Sequence, residues 1–195
     1  MTYTERRVLI VGDSIALGVD AGEPLGGIGA RLSSEFPHTD VVVRADHDST
    51  LQDLPRRFPR DSRLFDALLI VSGRLDVLRF TPVRELAAAV RNVVTAARER
   101  SPLVIVANSV CTGGAALLQW PLTALQMRQA TRVANVFRSV CTDLDVAFVN
   151  MALPRTVSSS LSRRSADACS FLYRTIVSST PLRAALALVP SSGAT

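Results

Sequence analysis

The sequence contains no lysine, so its positive charge comes from arginine alone. Its 22 basic residues exceed its 17 acidic residues, which gives a formal net charge of +5. Such an excess can attract nucleic acid or an anionic membrane surface. The arginines are spread along the chain, however, and only 5% of the residues are aromatic, so few rings are present to stack on bases. The charge is typical of a solvated surface, and we expect no nucleic-acid partner.

Cysteine and histidine are also scarce. The three cysteines, Cys111, Cys141 and Cys169, are odd in number, far apart and without a Cys-x-x-Cys spacing. This pattern indicates neither a disulfide framework nor a zinc site, and we expect no metal and no cofactor. The two histidines, His38 and His47, are the only imidazoles that any reaction could use.

Long hydrophobic runs are missing as well. No apolar run approaches the ~18 residues that a membrane span requires. The polar start, MTYTERR, does not resemble a secretory signal, so we expect a cytoplasmic protein. A chain of 195 residues can bury a sizeable core. We assign residues 1–190 to one domain and residues 191–195 to a frayed carboxyl-terminal tail.

Short apolar runs alternate with longer helical patterns. The runs that read as buried strands are 7–11, 41–44, 68–72, 103–107 and 146–149. Helical patterns occupy 26–36, 51–58, 81–97 (capped by Thr81, with Pro82 at its first position), 122–140 and part of 171–188. Strands without alternation, separated by helices, indicate a parallel sheet covered on both faces. The sequence predicts a doubly wound, three-layer α/β sandwich of the flavodoxin-like type, with a five-stranded parallel sheet. Its ligand site should lie beyond the carboxyl ends of the strands.

A Gly-Asp-Ser motif, Gly12 to Ser14, directly follows the first strand. A serine in this position lies at the carboxyl edge of the sheet, where a helix begins. Glycine permits a tight turn, and backbone N–H groups nearby are suited to stabilising an oxyanion. Asp13 is expected to hold N–H groups of this turn. Ser14 is therefore either a nucleophile or the N-cap of the following helix.

The motif and its surroundings resemble the SGNH/GDSL hydrolases. The segment VLIVGDSIALG at 8–18 is similar to the first block of that family, in which this serine is the nucleophile. Segments 65–79 and 81–108 resemble the third block and the helix and strand that follow it, and 165–176 lies where the terminal block belongs. The resemblance implies the SGNH-hydrolase fold and a small-molecule substrate or ligand of the ester or acyl class.

The chain departs from the family pattern at the two positions of the second and third blocks that contribute to the oxyanion hole. Asp48 stands about where the second block offers a glycine N–H. The third block, Gly-x-Asn-Asp in the family, reads Gly73-Arg74-Leu75-Asp76 here, so Leu75 replaces the asparagine donor. Two groups that would stabilise a tetrahedral intermediate are therefore absent from their usual positions.

The terminal block also departs from the family. Its Asp-x-x-His keeps the aspartate position as Asp167, but Ser170 stands at the position of the general base. Of the four signature residues only Ser14 is kept. A serine hydroxyl is a poor nucleophile unless a base removes its proton. These losses predict a protein that is catalytically degenerate or repurposed, with a small-molecule pocket.

His47 is the residue on which the alternative interpretation, an active enzyme, depends. It lies in the second-block loop between Asp46 and Asp48. One hypothesis makes it an unorthodox base for Ser14 in an active esterase or acyltransferase, and the other places it in a solvated Asp-His-Asp loop.

Three further features allow two interpretations each. Arg74 either binds a carboxylate or phosphate at the mouth of the pocket or points to solvent. Cys169 is either a nucleophile activated by a nearby arginine or a packed thiol. The loop 111–122 either forms a wall of a hydrophobic pocket or packs the start of the next helix.

Overall fold

The computed structural model of the protein describes residues 6–17, 27–59, 64–110, 122–150 and 161–187. The strands are β1 (Arg6–Gly12), β2 (Thr39–Ala45), β3 (Ala67–Ser72), β4 (Val104–Asn108) and β5 (Ala147–Asn150). The helices are α1 (Ser14–Leu17), α2 (Ile28–Glu35), α3 (Arg74–Leu78), α4 (Val83–Arg98), α5 (Leu122–Asp143), α6 (Leu161–Ser179) and α7 (Leu182–Leu186), with a 3-10 helix at Leu54–Arg57.

The five strands form one parallel sheet in the order β2-β1-β3-β4-β5. In its register, Gly12 lies opposite Ala45 on one side and Val71 on the other. Ser72 lies opposite Asn108. The carboxyl ends of the strands therefore meet at one edge, where the chain leaves each strand. The predicted five-stranded doubly wound fold is confirmed.

Alternate strand residues point to opposite sides of the sheet, so both faces carry apolar side chains. Helices cover each of these faces. Leu9 and Ile70 belong to a core shared with α4, α5 and the 3-10 helix. Ile10 and Leu69 belong to the second core, against α1, α2, α6 and α7. Burying one such aliphatic side chain contributes about 1.5–3 kcal/mol to the free energy of unfolding. The two cores pack on opposite faces of the sheet and so fix the positions of the carboxyl ends of its strands.

The helix boundaries differ from the prediction at the start of α4. Thr81 was expected to cap this helix, but the helix begins at Val83 and its N-cap position is Pro82. The Thr81 hydroxyl instead donates a hydrogen bond to Oδ1 of buried Asp76 at 3.2 Å. A buried carboxylate competes for this hydroxyl, and the local capping pattern cannot reveal that partner.

The carboxyl-terminal helices also differ from the prediction. The last helix was expected within 171–188, but α6 begins at Leu161 and a separate α7 follows Pro181. The start of α6, LSRRSADA, is polar and lacks the apolar periodicity that identifies a helix. No helix in the described part of the chain is long and apolar enough to span a membrane. The predicted tail, 191–195, lies outside the described residues.

Candidate functional site

Ser14 is the first residue of α1 and is only 3% exposed. The group that caps this helix is the side chain of Asp13, whose Oδ1 accepts the N–H of Ile15 at 3.1 Å. The carbonyl of Asp13 accepts the N–H of Ala16 at 3.0 Å. The N-cap interpretation of Ser14 is therefore wrong, and its hydroxyl is left to other partners. Asp13 holds N–H groups of this turn, as predicted.

Gly12 allows β1 to approach β3 closely. A Cβ at this position would lie 2.0 Å from the carbonyl oxygen of Val71. The same oxygen accepts the N–H of Asp13 at 3.0 Å. Since any side chain would collide with backbone here, glycine is the residue that lets the chain turn from β1 into α1.

Arg74 provides the hydrogen-bond partner of Ser14. Its Nη1 donates to the Ser14 Oγ at 2.8 Å. Arg74 is the first residue of α3 and follows Gly73, whose φ of 125° suits only glycine. The Arg74 backbone N–H also donates to the Ser109 Oγ at 3.3 Å. A guanidinium is always charged and only donates, so it cannot accept the proton of Ser14.

Asp13 and Ser109 form a buried hydrogen-bonded pair in this site. The Ser109 hydroxyl donates to Asp13 Oδ2 at 2.5 Å, and both side chains are at most 2% exposed. Burial raises the pKa of Asp13, against the opposing effects of the bonds from Ser109 and Ile15 and the charge of Arg74. Sequence reasoning missed Ser109, although it follows β4 at the edge where the site was expected.

The second-block loop lies beside the end of β1. The N–H of Asp46 donates to the carbonyl oxygen of Gly12 at 3.0 Å. The Asp46 carboxylate accepts a bond from Arg57 at 2.6 Å, and the N–H of Asp48 and this arginine lower its pKa. His47 and Asp48 are exposed. Among the described residues, no hydrogen bond joins His47 to Ser14.

Leu75 and Asp76 of the third block lie on α3. Leu75 is partly buried and contributes a hydrocarbon side chain. Asp76 is 1% exposed, and its Oδ2 accepts the N–H of Leu51 at 3.4 Å while Oδ1 accepts the Thr81 hydroxyl. Burial raises the pKa of Asp76 despite these bonds. Asp76 therefore ties the loops after β2 and β3 together.

The raised pKa of Asp76 predicts a pH-dependent stability. A carboxyl whose pKa is higher in the folded state stabilises that state at low pH, and this contribution is lost as pH rises from the unfolded pKa of about 3.9. The stability lost on Asp76→Asn should therefore be larger at pH 4 than at pH 7, by about 1.4 kcal/mol per unit of pKa elevation. Urea unfolding at the two pH values measures the difference.

Asp53→Asn is the matched control. Hydrogen bonds from Thr50 lower the pKa of Asp53, so its contribution has the opposite sign. Its contribution is lost only as pH falls below the unfolded pKa of about 3.9, so this variant should lose nearly the same stability at pH 4 and at pH 7. Equal pH dependence in the two variants would contradict the assignment of Asp76.

Comparison of the sequence with known protein families gives one match. The profile of the GDSL-like lipase/acylhydrolase family matches residues 10–170. The chain belongs to this family. Curated proteins yield no match.

Solved structures of two esterases and a lipase share the fold. A carbohydrate acetylesterase family member from Sinorhizobium meliloti is 16% identical, with a TM-score of 0.68 over 93% of this chain and 99% of that one. A catalytic mutant of an acetylxylan esterase from Geobacillus stearothermophilus is 18% identical, with a TM-score of 0.63 over 88% and 94%. An extracellular lipase from Streptomyces rimosus is 14% identical, with a TM-score of 0.62 over 89% and 99%. At these identities the likeness concerns the fold.

The terminal block of this GDSL-family chain lies on α6. Cys169 is 1% exposed, and its Sγ lies 3.4 Å from the carbonyl oxygen of Ile15, so this turn of α6 packs against α1. The buried position favours a packed thiol. Ser170 follows on the same helix and is partly buried. Asp167 lies three residues before it, and its side chain is outside the described part.

The described residues of the site are arranged around Ser14. Ser14 and Arg74 are joined directly, and Gly12, Asp13 and Gly73 shape the surrounding backbone. The catalytic assignments of Ser14, Asp167 and His47 stay predictions. The loop 111–121 lies outside the described residues. Within the described residues, no group of three His, Cys, Asp or Glu side chains is placed to hold a metal ion.

Proposed function

We propose that this GDSL-family protein binds a small ester or acyl compound at Ser14 and is catalytically degenerate. The observation that carries the proposal is the hydrogen bond from Arg74 Nη1 to Ser14 Oγ at 2.8 Å. Within the described residues the side-chain partner of the serine oxygen is therefore a donor, whereas an acylation reaction requires an acceptor for the serine proton.

The Arg74 bond also acts on the attacking atom itself. It uses a lone pair of the Ser14 Oγ, and a lone pair of that oxygen must attack the acyl carbon. The positive charge of the guanidinium draws electron density from the oxygen. Both effects lower the nucleophilicity of the neutral hydroxyl, so as long as no base removes its proton the contact favours a serine that binds rather than reacts.

The residues at the oxyanion positions support the same proposal. Leu75 has no polar atom in its side chain, and Asp48 is exposed and brings negative charge rather than a donor. Each missing oxyanion donor costs about 3 kcal/mol of transition-state stabilisation. Loss of the base and of two donors therefore predicts negligible turnover by the usual route.

An active esterase or acyltransferase is the second candidate. It is favoured by the bond between the Asp46 N–H and the Gly12 carbonyl, which holds the loop of His47 beside the end of β1. In that case His47 would remove the proton of Ser14 from the second-block side of the site. The exposed position of His47 favours the first candidate.

Hydrolysis of p-nitrophenyl acetate and butyrate separates the two candidates. We expect the wild-type rate to equal that of Ser14→Ala, because in the described part of the chain the partner of the Ser14 hydroxyl is a donor and not a base. A serine-directed fluorophosphonate should likewise fail to label Ser14. A rate at least tenfold above the Ser14→Ala background would overturn the proposal.

The two histidines provide a matched pair of variants that identifies the base responsible for such a rate. If a Ser14-dependent rate appears, its loss in His47→Ala but not in His38→Ala would assign the base to His47. His38 is the appropriate control because it is also exposed but lies before β2, at the opposite edge of the sheet. Thermal unfolding of each variant checks that the fold is retained.

A further inference from the structure

Strand β2 forms one edge of the sheet. In the described part of the chain it pairs with β1 alone, in an unbroken register of seven residues. The opposite edge strand, β5, has only four residues. Edge strands are commonly kept short or interrupted by proline or a bulge, because their unpaired N–H and C=O groups attract other strands. β2 contains neither proline nor glycine, so its backbone is suited to pairing with a further strand.

The hydrogen bonds to β1 identify the backbone groups on the outer side of β2. The carbonyl oxygen of His38 accepts the N–H of Arg6 at 3.3 Å, and the N–H of Asp46 donates to the carbonyl oxygen of Gly12 at 3.0 Å. Backbone groups of successive strand residues point to opposite sides, so the even-numbered residues of β2 bond to β1. The odd-numbered residues direct their N–H and C=O groups away from β1, and these are Thr39, Val41, Val43 and Ala45.

The charges of β2 are complementary to those of a second, antiparallel β2. Asp40 and Arg44 lie two residues to either side of Val42. If two copies of the strand meet with Val42 opposite Val42 of the partner subunit, each Asp40 faces an Arg44. Opposite charges on facing residues stabilise an antiparallel pair, and like charges destabilise it. The charges of this edge therefore favour a second copy of the same strand.

The outer backbone groups favour the same register. With Val42 on the two-fold axis, Val41 faces Val43 of the partner subunit, and both residues direct their N–H and C=O groups outward. They can therefore exchange a pair of hydrogen bonds. An axis at Val43 would instead place Asp40 opposite Asp46 of the partner subunit, which brings two carboxylates together. Only the register centred on Val42 matches both charges of the strand.

The side chains that would meet are accessible at this edge. Arg44 is exposed, and Val43 is 38% exposed. The side chain of Asp40 is 43% exposed and accepts a bond from Nε of Arg7, directly opposite on β1, through Oδ2 at 3.1 Å. A carboxylate can accept several hydrogen bonds, so Asp40 can bind Arg7 and Arg44 of the partner subunit together.

We propose that β2 is the interface of a symmetric dimer, in which two copies of this chain pair their edge strands antiparallel about Val42. The two five-stranded sheets then continue as one. Such an interface uses the same surface on both subunits, so each contact occurs twice and the assembly closes at two copies. The proposal concerns the edge of the sheet and is independent of the function of Ser14.

Analytical ultracentrifugation of the full chain tests the assembly. At a concentration of about 100 µM we expect a species of twice the chain mass that dissociates on dilution. A monomer at this concentration would overturn the proposal, and the edge would then be open to an extended segment of another protein.

Exchange of the two charges tests the pairing. Arg44→Glu should weaken dimerisation about 10-fold or more, because two attractive pairs become repulsive. Asp40→Arg should have the same effect from the other side of each pair. An equimolar mixture of the two variants should recover the dimer, because both facing pairs of the mixed dimer again have opposite charges. A mixture that associates no better than either variant alone would contradict the pairing.

Arg84→Glu is the control for net charge. It makes the same change at an exposed position on α4, away from β2, and should leave the dissociation constant of the dimer unchanged. Equal weakening by Arg84→Glu and Arg44→Glu would contradict an interface at β2. Thermal unfolding of each variant verifies that the fold is kept, which matters for Asp40→Arg because it removes the contact with Arg7.

Val42→Cys tests the register without changing any charge. Facing residues of a non-hydrogen-bonded antiparallel pair have Cα atoms about 4.5 Å apart, within the range of a disulfide. Mild oxidation should therefore give a covalent dimer on non-reducing electrophoresis. Val41→Cys is the matched control, because this equally half-buried position faces Val43 of the partner subunit and should give no more linkage than the wild type. No linkage through Val42→Cys, or equal linkage in both variants, would overturn the proposed pairing.

Discussion

Replacing Gly12 by alanine is expected to lower the free energy of unfolding by about 3 kcal/mol, an effect at the upper end of the usual overpacking range. The new Cβ would lie 2.0 Å from the carbonyl oxygen of Val71 and 3.1 Å from the Cβ of Ala16. The first of these is backbone in a central strand, and it cannot rotate away. Relief requires separating β1 from β3, which also stretches the bond between the Asp13 N–H and the Val71 oxygen.

Thermal and urea unfolding measure this effect, which corresponds to a fall of about 6–12 °C in Tm for a chain of this size. Gly29→Ala is the control, because its added Cβ meets the side chain of Val43 at 2.6 Å rather than backbone. Val43 is 38% exposed, and Gly29 lies in α2, where alanine is favoured by about 1 kcal/mol. We expect Gly29→Ala to change stability by less than about 1 kcal/mol. Similar losses in both variants would refute the close approach at Gly12.

Gly73→Ala is expected to destabilise the protein by about 3 kcal/mol. Its φ of 125° lies in a region that side chains do not tolerate, and an added Cβ would lie 2.8 Å from the Asn108 Oδ1. That oxygen accepts the N–H of Val110 at 3.1 Å, so the clash disturbs a second loop. Because Gly73 precedes Arg74, relaxation of its backbone should move the guanidinium away from Ser14.

Urea unfolding measures the stability of Gly73→Ala. Gly29→Ala is again the control, because an added Cβ there meets the exposed side chain of Val43. Equal losses of stability in the two variants would contradict the strain at Gly73.

The fold was predictable because its strands are short continuous apolar runs between helical patterns. A run such as 68–72 is apolar on both faces, and that is required only of a strand covered by helices on both sides. The rule that ligand sites lie at the carboxyl ends of parallel strands then placed Ser14 and the third-block loop at one edge. The boundaries were less predictable, since Thr81 satisfies a local capping pattern but bonds to Asp76.

The positions of Ser14 and Arg74 at one edge of the sheet were predictable, but their contact was not. The Gly-Asp-Ser motif and the family pattern drew attention to Ser14 and to the third-block loop. Neither indicated that Arg74 is the partner of Ser14 or that Ser109 is the partner of Asp13. These pairs are 60 and 96 positions apart, and no local pattern relates residues at such separations.

The sequence by itself determined the sheet and the edge at which Ser14 lies, because these depend on residue type and periodicity along the chain. Only the tertiary structure decided what meets the serine. The strand order places β3 and β4 successively beside β1, and this brings the loops of Arg74 and Ser109 to the end of the first strand. Which donor reaches which acceptor there depends on distances of a few tenths of an ångström and on the backbone at Gly73. Packing sets both, and the order of residues in the chain does not display them.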